Sequence, residues 1–315
     1  MQVTVTGASG LIGRRLVAAM RSRGDDVVVL SRDRGRALDT LQQAGSAPAP
    51  SGGLRVVAWD PLGEPAPTAG LSGSDAIVHL AGENIAQRWT TAAKRAIRAS
   101  RVDGTRGLVR GIAELDSDHR PSTLLSGSAI GYYGPRGDEP IDEDAPAGAG
   151  FLAQTCAAWE AEADAAAELG LRVVKVRTGV VLDPSGGALA KMLPPFKLGV
   201  GGPVAGGRQY VSWVEPSDLV GIMLAALDQE RWRGAINATA PEPVRNGELA
   251  KTLGRVLGRP ALLPVPKLAL QALYGEMSEV VTSGARVLPA RALMEGYEFR
   301  YAKLEPALRA ALNRR

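Results

Sequence analysis

The sequence predicts an α/β protein, a doubly wound parallel sheet carrying a smaller, mostly helical C-terminal lobe. Three observations predict it. A β-branched strand, Val3-Thr4-Val5-Thr6, runs straight into the glycine turn Gly7-Ala8-Ser9-Gly10-Leu11-Ile12-Gly13 and then the amphipathic run Arg14 to Arg21. Short apolar strands alternate with helical stretches through the first two-thirds of the chain. After that the alternation stops, and the sequence from Asn246 onward reads as mostly helical.

The elements follow in order. Asp26 to Ser31 is a second buried strand and Arg34 to Gln43 a helix. Ala44 to Gly53, rich in Gly, Ala, Pro and Ser, is a flexible loop. Arg55 to Trp59 and Ala76 to Leu80 are the third and fourth strands, and Thr90 caps a long helix reaching about Glu114. Ser122 to Ser126 is the fifth strand, Leu152 to Leu169 an Ala- and Glu-rich helix, and Arg172 to Val176 the sixth strand. Gly186-Gly187, Pro194-Pro195 and Gly201-Gly202-Pro203 then punctuate a loop-rich stretch around one short helix, Ala188 to Leu198. Pro216 to Asp228 is a helix returning to the sheet, and Ala235 to Ala238 a late strand. Asn246 caps a helix to Leu257, and short helices follow near Leu268 to Tyr274 and Leu304 to Leu312. The chain thus divides into a nucleotide-binding domain over 1–238 and a substrate lobe over 239–315, with residues about 183–214 contributing to the second lobe.

Composition narrows the function. Hydrophobic content of 45% and charged content of 22% are those of a globular protein, and 315 residues are ample for a core. The net charge is only +4 and no basic block carries interleaved aromatics, so nucleic acid is not an expected partner. No apolar run approaches the roughly 20 residues of a spanning helix, so no membrane is expected either. Cys156 is the only cysteine, which excludes an intrachain disulfide and points to a reducing compartment. The first strand begins at Gln2 and leaves no room for a targeting peptide, which points to the cytoplasm. With two histidines, His79 and His119, and one cysteine, no His/Cys metal site is expected.

The glycine turn carries the chemistry. Strand, turn and helix in this order form the seat of a dinucleotide pyrophosphate: glycine lets the backbone approach, and the helix N-terminus offers free N–H groups and a positive dipole end. The second strand ends Leu30-Ser31-Arg32-Asp33. Ser31 and Arg32 stand where an acid would bind a ribose 2′-hydroxyl, which favours a 2′-phosphate and therefore NADP(H). Asp33, one residue on, leaves NAD(H) open. Asp60, after the third strand, is placed to accept from an adenine amino group or to cap its own loop. Leu80-Ala81-Gly82 closes the fourth strand with small residues that let backbone lie near the cofactor's second half.

Thr6 to Gly13, Leu80-Ala81-Gly82 and Ser126 to Gly134 resemble the extended short-chain dehydrogenase/reductase superfamily. More specifically, the chain resembles the atypical branch named epimerase family proteins, or nucleoside-diphosphate-sugar epimerases. The marks are Leu80 to Ile85, Trp159-Glu160, Arg177 to Leu182, Gly186 to Ala188, Leu193 to Gly199, Asn237 to Pro241 and Gly275-Glu276-Met277. They span nearly the whole chain and include that branch's C-terminal domain of unknown function, about 264–312. The resemblance implies an NADP-binding Rossmann fold, with cofactor contacts from Ser31, Arg32, Leu80, Ala81, Arg101 and Val181.

The superfamily's catalytic pattern fails here. Its members carry Tyr-x-x-x-Lys, the tyrosine as acid/base and the lysine lowering its pKa. The corresponding helix reads Cys156-Ala157-Ala158-Trp159-Glu160, with cysteine for tyrosine and glutamate for lysine. Three groups remain as candidates for proton transfer. Ser128 follows the fifth strand where the catalytic serine belongs, or serves as a turn serine. Tyr132 and Tyr133 follow it; the resemblance puts one of them near the pocket, or either serves packing. Glu160 acts as acid or base if burial raises its pKa, or is a surface helix residue. Cys156 reads as a small core residue and His79, inside an apolar strand, as a satisfied core histidine. Trp213-Val214-Glu215 carries glutamate where the branch has histidine, so no role passes to that position. Glu83-Asn84 either binds substrate hydroxyls or shapes its loop.

In the second lobe, Lys191, Lys197, Arg208 and Tyr210 surround glycine-rich turns and either hold an acidic ligand or form a solvated face. The expected function is an NADP(H)-dependent epimerase or oxidoreductase acting on a small polar substrate. The alternative is a non-catalytic NADP(H)-binding sensor or interaction protein, motivated by the missing Tyr and Lys. Neither the substrate nor the oligomeric state is legible in the sequence.

Overall fold

The computed structural model describes residues 1–43 and 51–314, so most of the loop expected over 44–53 lies outside the described residues. Seven strands form one parallel sheet: β1 (Gln2–Thr6), β2 (Asp26–Ser31), β3 (Leu54–Ala58), β4 (Ala76–His79), β5 (Thr123–Ala129), β6 (Arg172–Thr178) and β7 (Gly234–Ala238). Their order is β3-β2-β1-β4-β5-β6-β7. The chain first builds outward from β1 through β2 to β3, then crosses back to place β4 on the other side of β1. The carboxyl ends of β1 and β4 therefore flank the topological switch point, where open α/β sheets bind their ligands.

Both faces of the sheet are covered, which is why the strands read as apolar runs. Val3, Val5, Val78, Leu125, Val174 and Val176 face one core with Leu16, Val17 and Met20 of the helix Leu11–Ser22 and Ile222 and Met223 of Pro216–Asp228. Leu30, Ile77, Leu124 and Val173 point the other way, toward Leu108 and Ile112 of Thr91–Ala113 and Ala163 of Phe151–Asp164. Alternate residues of one strand serve opposite cores, as the pleat requires. Thr90 caps the long helix, its side chain accepting from Ala93 N. Glu215 caps Pro216–Asp228 through Ser217 N, which explains a glutamate at that position.

A second core fills the smaller lobe. Leu249 and Leu253 of Asn246–Leu257, Leu304 and Leu308 of Leu304–Ala311, and Leu189, Leu193 and Phe196 of Gly187–Lys197 pack around Trp213. Residues before and after 239 thus share this core. Beyond Asn246 the described residues are mostly helical, with two-residue strand pairings that tie Arg286–Val287 to Pro140–Ile141.

Several boundaries differ from the sequence reading. β5 runs on to Ala129 and β6 to Thr178, because the two pair in register to their ends. The expected helix Leu152 to Leu169 stops being α-helical at Asp164 and tightens into a 3₁₀ turn over Ala165–Leu169. Asn246 is not a cap: Arg245 occupies that position, and the Asn246 Oδ1 accepts from Val204 N at 2.7 Å, tying two loops of the lobe.

Asp218, on the helix Pro216–Asp228, ties down the C-terminal segment over 297–301. It is buried, accepts from Arg300 N at 2.8 Å and Tyr301 N at 2.9 Å, and meets the Tyr297 hydroxyl at 3.3 Å. Removing that carboxylate strands two buried backbone donors, while the Tyr297 hydroxyl keeps the Asp218 carbonyl at 3.1 Å. Asp218→Ala is therefore expected to lose about 2–4 kcal/mol of stability in urea denaturation, and a loss under about 1 kcal/mol would contradict this assignment.

Candidate active site

The glycine turn seats itself against the end of β4. A Cβ on Gly7, whose φ is +70°, would lie 2.6 Å from the carbonyl carbon and oxygen of Leu80 and 2.7 Å from Ala81 N. A Cβ on Gly13 would lie 2.2 Å from Gly7 O. These two glycines are demanded by the protein's own packing. Gly10 differs: it is exposed, and a Cβ there would meet only Gly7 O, at 3.2 Å. Its bareness opens the helix start to solvent. No side chain caps Leu11–Ser22 and no acidic residue stands in its first turn, so its leading N–H groups keep their donors and dipole for an anion. Ser9 is exposed beside them, and Leu11, Ile12 and Val181 line one crevice.

A buried relay holds the same corner from below. Thr105 Oγ1 donates to Arg101 O at 2.5 Å and so accepts from His79 Nε2 at 3.0 Å. The Nδ1 of His79 then accepts from Thr6 Oγ1 at 2.7 Å, and Thr6 Oγ1 accepts from Ala81 N at 3.2 Å. Every proton is placed only if the imidazole is neutral with its proton on Nε2. Burial, with a contribution from Arg101, pushes His79 down to about 4. His79 is thus a structural tie between β1, β4 and the long helix. Arg101 lies beside Gly82, donates to Glu83 O at 3.0 Å, and stacks 5.3 Å from the Trp159 ring. Burial lowers its pKa, and it forms no salt bridge among the described residues.

The end of β2 offers an open cation. Arg32 is exposed and has no hydrogen bond or ion pair among the described residues. Asp33 instead turns back: its Oδ1 accepts from Arg36 N at 2.9 Å and its backbone bonds Ser31 Oγ. Asp60 is exposed, and its Oδ1 accepts from Leu62 N at 3.1 Å, shaping its own turn. Asn84 does the same for Ala86 N at 2.9 Å.

The expected catalytic residues meet around an arginine the sequence reading passed over. Ser128 lies within β5, opposite Arg177 in register, rather than in the loop beyond it. Its Oγ donates to Glu160 Oε1 at 2.6 Å. Arg177 clamps the same carboxylate with both arms of its fork, Nε to Oε1 and Nη2 to Oε2, each at 2.8 Å. Its Nη1 donates to Tyr133 OH at 2.8 Å and Glu143 O at 3.1 Å. The guanidinium lies 3.5 Å from the Tyr132 ring centroid. Burial opposes its charge, but the Glu160 hydrogen bonds hold Arg177 above the ordinary arginine range. Glu160 is therefore neither a surface residue nor a free acid or base, since both oxygens are engaged. Tyr133 is fully buried, donates to Asn237 Oδ1 at 2.7 Å, and is pushed up to about 12 mainly by burial. Cys156 is buried and burial pushes its thiol up to about 11, which makes it inert. The sequence reading ended this strand at Val176, one residue short of Arg177; β6 includes it, and an arginine inside a central strand needs a buried anion.

The second-lobe cations do not converge. Lys191 donates to Ala86 O at 2.9 Å, whereas Lys197 lines a separate groove of about 230 Å³ with Leu193, Leu257 and Leu312. Tyr210 lies 4.8 Å from Arg245, which donates to Arg208 O at 2.6 Å.

A parallel sheet with this strand order and a glycine cradle at its switch point defines the Rossmann-type α/β class. The chain belongs to the NAD dependent epimerase/dehydratase family, which residues 3–238 match, and residues 265–311 match a domain of unknown function, DUF1731. It is 42% identical to the chloroplastic epimerase family protein SDR39U1 homolog of Arabidopsis thaliana, over 99% of this chain and 87% of that one. The crystal structure of human epimerase family protein SDR39U1 (isoform 2) with NADPH superposes with a TM-score of 0.84 at 34% identity, covering 99% of this chain and 100% of that one. UDP-glucuronic acid 4-epimerase from Bacillus cereus, with UDP-glucuronic acid and NAD, shares the fold at a TM-score of 0.79 and 17% identity, covering 99% and 98%. Among the described residues no helix is long and apolar enough to cross a membrane.

The His79 relay predicts acid sensitivity. Its folded pKa of about 4 lies below the unfolded value of 6.5. The unfolded chain thus takes the proton first, so stability is fully present above pH 6.5 and falls as pH drops toward 4. The loss is about 3 kcal/mol at its largest. Urea denaturation of the protein and of His79→Asn between these pH values checks it; equal pH slopes for the two would contradict the assignment.

Proposed function

We propose that the chain binds NADP(H) and exchanges a hydride with a small polar substrate held between its lobes, as an epimerase or oxidoreductase. The observation that carries this reading is the open cradle at Gly10, with uncapped helix N–H groups beside it and the unpaired Arg32 at the end of β2. The cradle suits a pyrophosphate, because backbone donors and dipole converge there and no side chain intrudes. Arg32 suits a 2′-phosphate, which its fork can grip bidentately. Asp33, engaged in capping its own helix, does not oppose it. The human relative crystallised with NADPH supports the same choice.

The bound nicotinamide supplies the hydride chemistry. The chain's own part is to orient and to move a proton. Ser128, with its proton directed at Glu160, presents oxygen lone pairs to a substrate hydroxyl. Tyr132, whose hydroxyl has no hydrogen-bond partner among the described residues, is the group left to give or take a proton. Leu80, Ala81, Gly82, Arg101 and Val181 complete the cofactor wall. A lone buried thiol fits a reducing, cytoplasmic setting.

A second reading rests on Cys156 and Glu160. An inert thiol and a clamped carboxylate on one helix suit an NADP(H)-binding sensor that turns nothing over. NADPH oxidation in a broad carbonyl and sugar screen favours the enzyme; tight binding without turnover favours the sensor.

Cofactor choice is tested by calorimetry. Losing charged hydrogen bonds worth about 2–3 kcal/mol, Arg32→Asp should bind NADPH roughly 30- to 150-fold more weakly and leave NADH within about threefold. Equal losses for both would overturn the 2′-phosphate assignment.

A further inference from the structure

We propose that Arg177 is the positioning residue of this site, supplying from β6 the organising cation that the superfamily pattern carries on the helix. The proposal rests on the reading of Ser128 and Tyr132 as the substrate-facing pair. Three contacts of one side chain carry it. The fork grips both oxygens of Glu160 at 2.8 Å, which fixes the carboxylate to which Ser128 Oγ donates at 2.6 Å. The flat face of the guanidinium lies 3.5 Å from the Tyr132 ring centroid, and the third nitrogen holds Tyr133 OH at 2.8 Å. Tyr133 meets Tyr132 edge-on, with centroids 5.3 Å apart, and its ring centroid lies 5.1 Å from the same guanidinium. Tyr132 thus packs against a cation and a buried ring that are themselves joined, while its hydroxyl stays unpartnered among the described residues.

A chemical preference follows. With the Ser128 proton committed to Glu160, Ser128 accepts a hydrogen bond and does not donate one. It therefore recognises a substrate in its alcohol form better than as a carbonyl. The substrate class is a secondary alcohol, whose oxidation would send the hydride to NADP⁺ and release the hydroxyl proton to solvent. Arginine serves here where lysine would not, because only a planar fork binds a carboxylate in two places and stacks on a ring at once.

Removing Arg177 alone would leave Glu160 charged and buried, and the fold would suffer. The double variant Arg177→Met/Glu160→Leu replaces the pair with apolar groups of similar bulk and avoids this. Three readouts apply: NADPH affinity by fluorescence, the ¹⁹F spectrum of 3-fluorotyrosine-labelled protein with the Tyr132 line assigned by Tyr132→Phe, and turnover of NADP⁺ with a panel of secondary alcohols and sugars. Expected are an NADPH affinity within about twofold, a Tyr132 line that goes from single and narrow to split or broadened, and a kcat lowered at least about 100-fold. A Tyr132 line that stays single and narrow overturns the proposal. So does a kcat within about twofold of the parent, or an NADPH affinity lost more than about tenfold. Should the double variant fail to fold, Arg177→Lys keeps the charge and removes the fork; the same three measurements then support or overturn the proposal at the same thresholds. If the parent protein turns over nothing in the panel, the proposed hydride transfer falls, and the ¹⁹F line alone still decides the role of Arg177.

Discussion

The turn after β1 lies against the end of β4 with no room for a side chain between them, and the rest of the site is arranged around that contact. Gly7 makes it possible from above, since any Cβ there would sit inside the Leu80 carbonyl. The Thr6–His79–Thr105 relay secures it from below with buried hydrogen bonds that demand a neutral imidazole. Because the contact falls at the topological switch point, it sets two backbone segments side by side at the mouth of the crevice. The helix that starts at Leu11 then points its uncapped N-terminus across the same opening.

A second constraint sits one strand away. The Glu160–Arg177 pair is almost wholly buried, so its charges are tolerable only because the carboxylate's oxygens and the guanidinium's nitrogens are themselves matched. Ser128, Tyr133, Asn237 and the Glu143 carbonyl complete that matching. Asn237 also donates to Leu288 O at 3.0 Å, and Glu143 accepts from Arg291 N at 3.2 Å. The C-terminal segment is thereby tied into the wall of the site. The helix Phe151–Asp164 brings a carboxylate to this wall, and a strand arginine balances it.

The fold was legible because its signals are local. β-Branched runs marked the strands, glycine and proline marked the breaks, and Gly7 to Gly13 marked the crevice before any contact was known. Cap positions were less secure: Thr90 capped its helix, but Asn246 reached instead for Val204 N, a loop partner that no local pattern reveals. The site was half legible. Ser128, Tyr132 and Glu160 were picked out by motif, and they do gather. Their common partner, Arg177, lies 17 positions beyond Glu160 on another element, and only the pairing of β5 with β6 brings it opposite Ser128. Burial, too, is a property of the assembled sheet, so Glu160 could not be told from a surface glutamate by its helix alone.

The most direct measurement of the central claim is a crystal structure of the protein grown with NADPH. Expected are a pyrophosphate within hydrogen-bond distance of the Leu11 and Ile12 N–H groups and a 2′-phosphate gripped by Arg32. A cofactor bound with its 2′-phosphate away from Arg32, or crystals with no cofactor at the Gly10 cradle at saturating NADPH, would contradict it.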